Sequence, residues 1–223
     1  MKIIIHTTKG REKYLKKCIA SCKESGIEPV VLGNSPEEDK LELNIQKAAY
    51  GFWKALTHDI YDDCLILEDD VVLKKGWWKV LNEAKKLIKQ NRYMISLILP
   101  FPELVGAPDI KMQTLQPVVY KATVSFDNDW LPISTPILYS NTSAIFFSKL
   151  TLQTRLAEYV YKYSVEGKAM YDMSFGHFIF RSQLQMFVTV PSVAKNIGDV
   201  TSINPDEGRT HGAGYDGWGS YKI

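Results

Sequence analysis

The chain has 223 residues, of which 45% are apolar and 23% charged, with 14 glycines and 10 prolines. That length suits one sizeable α/β core, and the composition excludes collagen-like, coiled-coil and wholly disordered chains. Lys plus Arg number 27 against 25 Asp plus Glu, a net charge of +2 that supplies no drive toward nucleic acid or an anionic membrane.

Lys2 to Ile5 is a short β-branched run that reads as a buried strand. It is too short for a signal-peptide core or a membrane span, so the expectation is a soluble, cytoplasmic protein. A helix follows with Tyr14, Leu15, Cys18, Ile19 and Cys22 on one face and lysines on the other, stopped by Gly26 and Pro29. Cys18, Cys22 and Cys64 fit neither a disulfide framework nor a zinc spacing and read as small core residues. Val30 to Leu32 is a second strand ended by Gly33 and Asn34, and Ser35-Pro36-Glu37-Glu38 has the form of a capping box. Ile45, Ala48, Ala49, Phe52, Ala55 and Leu56 form one helical stripe, and Cys64 to Leu67 is a third strand.

A helix from about Gly76 to Gln90 should bury Trp78, Leu81, Ala84 and Ile88, and Met94 to Leu99 is a fourth strand. This alternation predicts an α/β fold, a mostly parallel sheet with helices on both faces. Phe101 to Pro136 reads as irregular and proline-rich. Ala144 to Phe147 is strand-like and leads into a helix carrying Leu152, Leu156, Tyr159, Val160 and Tyr163. Asp172 to Arg181 reads as a short helix, Leu184 to Val190 as the last strand, and the glycine-rich stretch from Thr201 as a lid or a frayed tail. No domain boundary is visible.

The strongest chemical signal is Glu68-Asp69-Asp70 between two apolar runs. Three adjacent carboxylates repel one another, most of all at the end of a buried strand, and a divalent cation relieves that repulsion. The carboxyl end of a parallel strand is also where open α/β folds bind ligands. The bland reading is an exposed acidic turn, although it lacks Gly, Pro or Asn punctuation. A second signal is His6-Thr7-Thr8-Lys9-Gly10-Arg11, where a strand gives way to a helix N-terminus with Arg11 in reach. Backbone N–H groups and a guanidinium suit a diphosphate. The alternative is a capped helix with a surface arginine.

Glu68-Asp69-Asp70 followed by Val71 resembles the DXD element of the GT-A fold glycosyltransferases, nucleotide-diphospho-sugar transferases of bacterial or phage type among others. The opening IIIHTTKGREKYLKKCIASC resembles that family's first strand and helix. The stretch SNTSAIFFSKLTLQTRL resembles its element beside the acceptor, and Pro191 to Gly198 resembles its PSLVQHIG ending. The likeness implies a Rossmann-like three-layer α/β sandwich spanning 1–223. Its nucleotide-sugar half would be 1–100, its acceptor half 101–200, and its lid or tail 201–223.

The resemblance also implies roles. Asp70 would hold Mn²⁺ or Mg²⁺, and Asp69 would bind the ribose or share the metal. Glu68 would orient its neighbours or act through water. Thr7, Thr8, Arg11 and Asn34 would contact the nucleotide, and for a reaction that inverts the anomeric centre Asp172 would be the base that takes the acceptor proton, unless it only caps the helix that follows. Asp127 and Asp129 are the reserve bases, and Trp130 and Trp218 candidate stacking faces.

One departure stands out: Asn196 replaces the family's histidine, so Asn196 or His211 is left to complete the metal shell. The implied function is metal-dependent transfer of a hexose, from a UDP-sugar for preference, to a saccharide hydroxyl. A hydroxylated DNA base is the second acceptor class. A nucleotidyltransferase and a non-catalytic nucleotide or sugar binder are the rivals.

Overall fold

A computed structural model describes residues 1–98, 110–116, 119–124, 142–182, 184–189 and 192–198. Its strands are β1 (Lys2–His6), β2 (Val30–Leu32), β3 (Cys64–Glu68), β4 (Val71–Leu73), β5 (Tyr93–Ser96), β6 (Ile110–Gln116), β7 (Val119–Val124), β8 (Ala144–Phe147), β9 (Gln185–Thr189) and β10 (Ala194–Asn196). The helices are α1 (Glu12–Cys22), α2 (Pro36–Asp39), α3 (Asn44–His58), α4 (Trp77–Leu87), α5 (Lys149–Leu152), α6 (Leu156–Val160) and α7 (Tyr171–Ser182). A wider π-type stretch, Tyr161–Glu166, continues α6.

Eight strands form one sheet in the order β2-β1-β3-β8-β5-β9-β7-β6. β1, β2, β3, β5, β6 and β9 run one way, while β8 and β7 run against them. The mostly parallel sheet is therefore present, with β8 inserted antiparallel between β3 and β5. Alternate residues of the buried strands face opposite layers. Ile3, Ile5, Leu65 and Leu67 pack with Cys18 and Cys22 of α1 and with Trp77, Leu81 and Ala84 of α4. Ile4, Cys64 and Ile66 pack with Phe52 and Leu56 of α3, Leu156 of α6 and Phe175 of α7. Each such aliphatic side chain, taken fully out of water, contributes about 1.5–3 kcal/mol. The two clusters, one on each side of the sheet, make the fold a three-layer α/β sandwich.

The cysteines are free and buried as expected, and burial pushes the Cys64 thiol up to about 12. Ser35 caps α2 by accepting from the Glu38 amide, with Pro36 at the first helical position. The Glu38 side chain does not return to the cap. It accepts instead from Lys54 Nζ at 2.9 Å and so ties α2 to α3.

Several expectations are corrected. Trp77, not Trp78, fills the core, because left-handed Gly76 (φ 91°) sets the start of α4 and the Trp77 indole N–H reaches the Ser21 carbonyl at 3.3 Å. The helix expected from Leu152 to Tyr163 is interrupted after α5. Thr154 Oγ1 donates to the Thr151 carbonyl at 2.7 Å, a side-chain competitor for backbone pairing. Within the proline-rich region, β6 and β7 form an antiparallel pair that extends the sheet past β9. The strand at Gln185–Thr189 is not the last, since β10 follows and pairs with β4 as a separate two-stranded ribbon. The stretch 201–223 lies outside the described residues. Among the described residues no helix is long and apolar enough to cross a membrane.

Candidate active site

β3 ends at Glu68, which still pairs with His6 of β1, and the turn to β4 carries Asp69 and Asp70. Three other segments meet there: the β1 exit, residues 142–143 before β8, and 194–198. The last is held by β10, whose Asn196 lies opposite Val71, and by the Ile197 amide, which donates to the Asp70 carbonyl at 2.8 Å. Gly198 closes on the Asp70 carboxylate so tightly that a Cβ there would collide with Oδ2.

The acidic trio does not act as one group. Asp69 and Asp70 are 4% and 0% exposed and share Arg11, itself 9% exposed. Arg11 Nε donates to Asp69 Oδ1 and Nη2 to Asp70 Oδ2, both at 2.6 Å. Burial opposes the charge on Arg11, but Asp70 and Asp69 outweigh it and its pKa is raised. Thr7 Oγ1 donates to Asp69 Oδ2 at 2.6 Å, so the protein holds both oxygens of Asp69. Arg11, which the resemblance turns toward a diphosphate, is here turned onto the two acids. Adjacent carboxylates in a low-dielectric site demand a counter-charge, and this guanidinium supplies it.

Glu68 points to hydroxyls instead. Its Oε1 accepts from Tyr171 OH at 2.6 Å and Thr142 Oγ1 at 3.3 Å, and its Oε2 from Ser143 Oγ at 3.0 Å. Burial and the Glu68 charge hold the Tyr171 phenol well above its usual range, so it stays a donor. Beside them His6 is buried. Burial lowers its pKa even though Glu68, Asp69 and Glu38 favour the proton, and its Nε2 has no hydrogen-bond partner.

The remaining candidates are placed as follows. Thr8 is half-buried. Asn34 donates from Nδ2 to Asp39 Oδ1 at 3.5 Å and leaves Oδ1 buried without a partner. Asp172 lies in the first turn of α7, where an acid complements the helix dipole, and α7 begins one residue before it, so it is not the cap. Asn196 donates from Nδ2 to Ser143 Oγ at 3.1 Å. His211, Asp127, Asp129, Trp130 and Trp218 lie outside the described residues.

Sequence reasoning missed Thr142, Ser143 and the Tyr171 hydroxyl as partners of Glu68, and His6 as a buried neighbour. The signals for the first two were their place before the apolar run Ala144 to Phe147 and the resemblance of that stretch to the element beside the acceptor.

Mg²⁺ and Mn²⁺ prefer oxygen donors and accept a shell completed by phosphate and water. The Asp70 carboxylate fits that preference, and so does Asn196 Oδ1, which is buried and has no hydrogen-bond partner. Among the described residues no three His, Cys, Asp or Glu side chains converge on one point.

No protein-family model and no curated protein matches the chain. Among solved structures it is similar to the galactosyltransferase LgtC, as an active-site mutant and in complex with donor and acceptor sugar analogs. These align over 80% of this chain and 70% of theirs, at 13% and 14% identity and a TM-score of 0.48. A mannose-1-phosphate geranyltransferase from Thermus thermophilus aligns over 84% of this chain and 72% of its own, at 10% identity and a TM-score of 0.39. Likeness at this level assigns neither family nor activity, which leaves function to the geometry of the site.

Proposed function

We propose that the chain is a single-domain glycosyltransferase that moves a hexose from a nucleotide diphosphate sugar, a UDP-sugar, to a saccharide hydroxyl with the help of Mn²⁺ or Mg²⁺. One observation carries this reading: Glu68, Asp69 and Asp70 meet the β1 exit and the segment 194–198 at the carboxyl end of a parallel strand. That is the position where open α/β sheets bind nucleotides. Asp70 and Asn196 would hold the cation, which supplies Lewis-acid stabilisation of the departing diphosphate.

The chain's own residues do the rest. Arg11 supplies positive charge beside Asp70, and the N-terminal end of α1 turns its helix dipole toward the phosphates. Asn34, at the β2 exit, would contact the nucleotide. The acceptor oxygen bonds to the anomeric carbon as the bond to the diphosphate breaks, and the Asp172 carboxylate takes the acceptor's proton.

The test is release of nucleoside diphosphate from a panel of nucleotide sugars, with Mn²⁺ or with chelator. One donor should be turned over with Mn²⁺, and chelator or Asp70→Ala should abolish turnover. Asp172→Asn should retain donor binding and lose transfer. Donor binding without turnover in any condition would favour the non-catalytic binder.

A further inference from the structure

The amide of Asn196 has a decided orientation. Its Nδ2 donates to Ser143 Oγ, and Ser143 Oγ donates to Glu68 Oε2. A serine hydroxyl has one proton, and an ionised carboxylate only accepts. Tyr171 and Thr142 point their own hydroxyl protons at Glu68, which keeps it an acceptor. The Ser143 proton points at Glu68, and its oxygen receives the Asn196 amide. The amide must turn its NH₂ toward Ser143, which sends Oδ1 the other way. That oxygen is buried and has no hydrogen-bond partner, a state that buried carbonyls rarely keep unless something else arrives to pair with them. Asn196 stands next to the residue whose amide bonds to the Asp70 carbonyl, and two before the glycine that packs on the Asp70 carboxylate.

We infer that Asn196 presents its amide oxygen to the divalent cation of the bound donor, and that Glu68, acting through Ser143, is the positioning residue that keeps oxygen rather than NH₂ in that place. The inference rests on the transferase reading, because it needs a cation bound with a diphosphate. A flipped amide would aim two partly positive hydrogens at the cation. Glu68 thus serves the metal without touching it, in the way outer groups orient the ligands of other metal sites.

The test is a double-mutant cycle read by Mn²⁺ binding in the presence of UDP, using the electron paramagnetic resonance of free Mn²⁺. Ser143→Ala should weaken Mn²⁺ binding by about tenfold, the low end for loss of an outer partner. In the Asn196→Asp background both terminal atoms are oxygens and orientation is immaterial, so Ser143→Ala should cost at most about twofold. Glu68→Gln is the second variant should Ser143→Ala fail to fold. The new amide donates to Ser143, turns the serine proton toward Asn196 and flips it, and so should weaken Mn²⁺ with Asn196 present but not with Asn196→Asp. Equal losses in both backgrounds, or no loss in either, would overturn the positioning role. If Asp70→Asn abolishes binding while Ser143→Ala and Glu68→Gln do not, only this inference fails. If the unaltered protein binds no Mn²⁺ with UDP, the transferase reading falls and takes this inference with it.

Discussion

Asp69 and Asp70 on one side of the β3 tip, and Glu68 on the other, are neighbours in sequence but are stabilised by opposite chemistry. The two aspartates share one guanidinium through two 2.6 Å bonds. Glu68 accepts from three hydroxyls of two other segments. A guanidinium cancels charge, so another cation can take its place. Hydroxyls fix direction without cancelling charge, and no cation can do that for them. The aspartate side is accordingly built for exchange of charge and the glutamate side for holding geometry.

Arg11→Gln breaks that contrast most severely. It removes the guanidinium that both buried carboxylates share and should cost about 3–5 kcal/mol, read as a lowered thermal midpoint. Mn²⁺ should restore part of the loss, because a cation can occupy the vacated place. A midpoint indifferent to Mn²⁺ would count against exchange.

Tyr171→Phe removes the shortest bond to Glu68 and should cost about 1.5–3 kcal/mol, with no recovery on adding Mn²⁺. Recovery there would erase the distinction between the two sides.

The smallest effect concerns His6, which lies beside Glu68, Asp69, Glu38 and Lys54. Burial holds its folded pKa below the ordinary 6.5, so below that pH the unfolded chain binds more protons than the folded one. The contribution of His6 to stability is whole above pH 6.5 and declines as pH falls from there toward the folded value. Urea midpoints from about pH 7.5 to about pH 5 should fall less steeply in His6→Gln than in the unaltered chain. An identical slope would show that His6 is not the group titrating.

Much of the first hundred residues was legible because their contacts are local or periodic. The face of α1 carrying Cys18 and Cys22, the stripe of α3 centred on Phe52, and the strand ending in Glu68 all stand where spacing put them. β4 and β10 were missed because they stand outside the main sheet and exist only by pairing with each other, which no local pattern announces. β8 was recognised as a strand, but nothing local tells that it runs antiparallel between β3 and β5. In the site, the acidic trio was evident from repulsion alone, whereas its partners were not. Arg11 meets Asp70 across 59 positions, and Tyr171 meets Glu68 across 103.

What the sequence determined by itself was a buried α/β core and a crowd of negative charge at one strand's end, because both follow from neighbours along the chain. Tertiary structure alone decided how that charge is met. It turned Arg11 onto two acids, gathered hydroxyls around the third, and through Ser143 settled which atom of Asn196 remains open. The physical reason is range: hydrophobic period and adjacent-charge repulsion act over a few residues, while counter-ions and hydrogen-bond donors must be delivered through space by the fold.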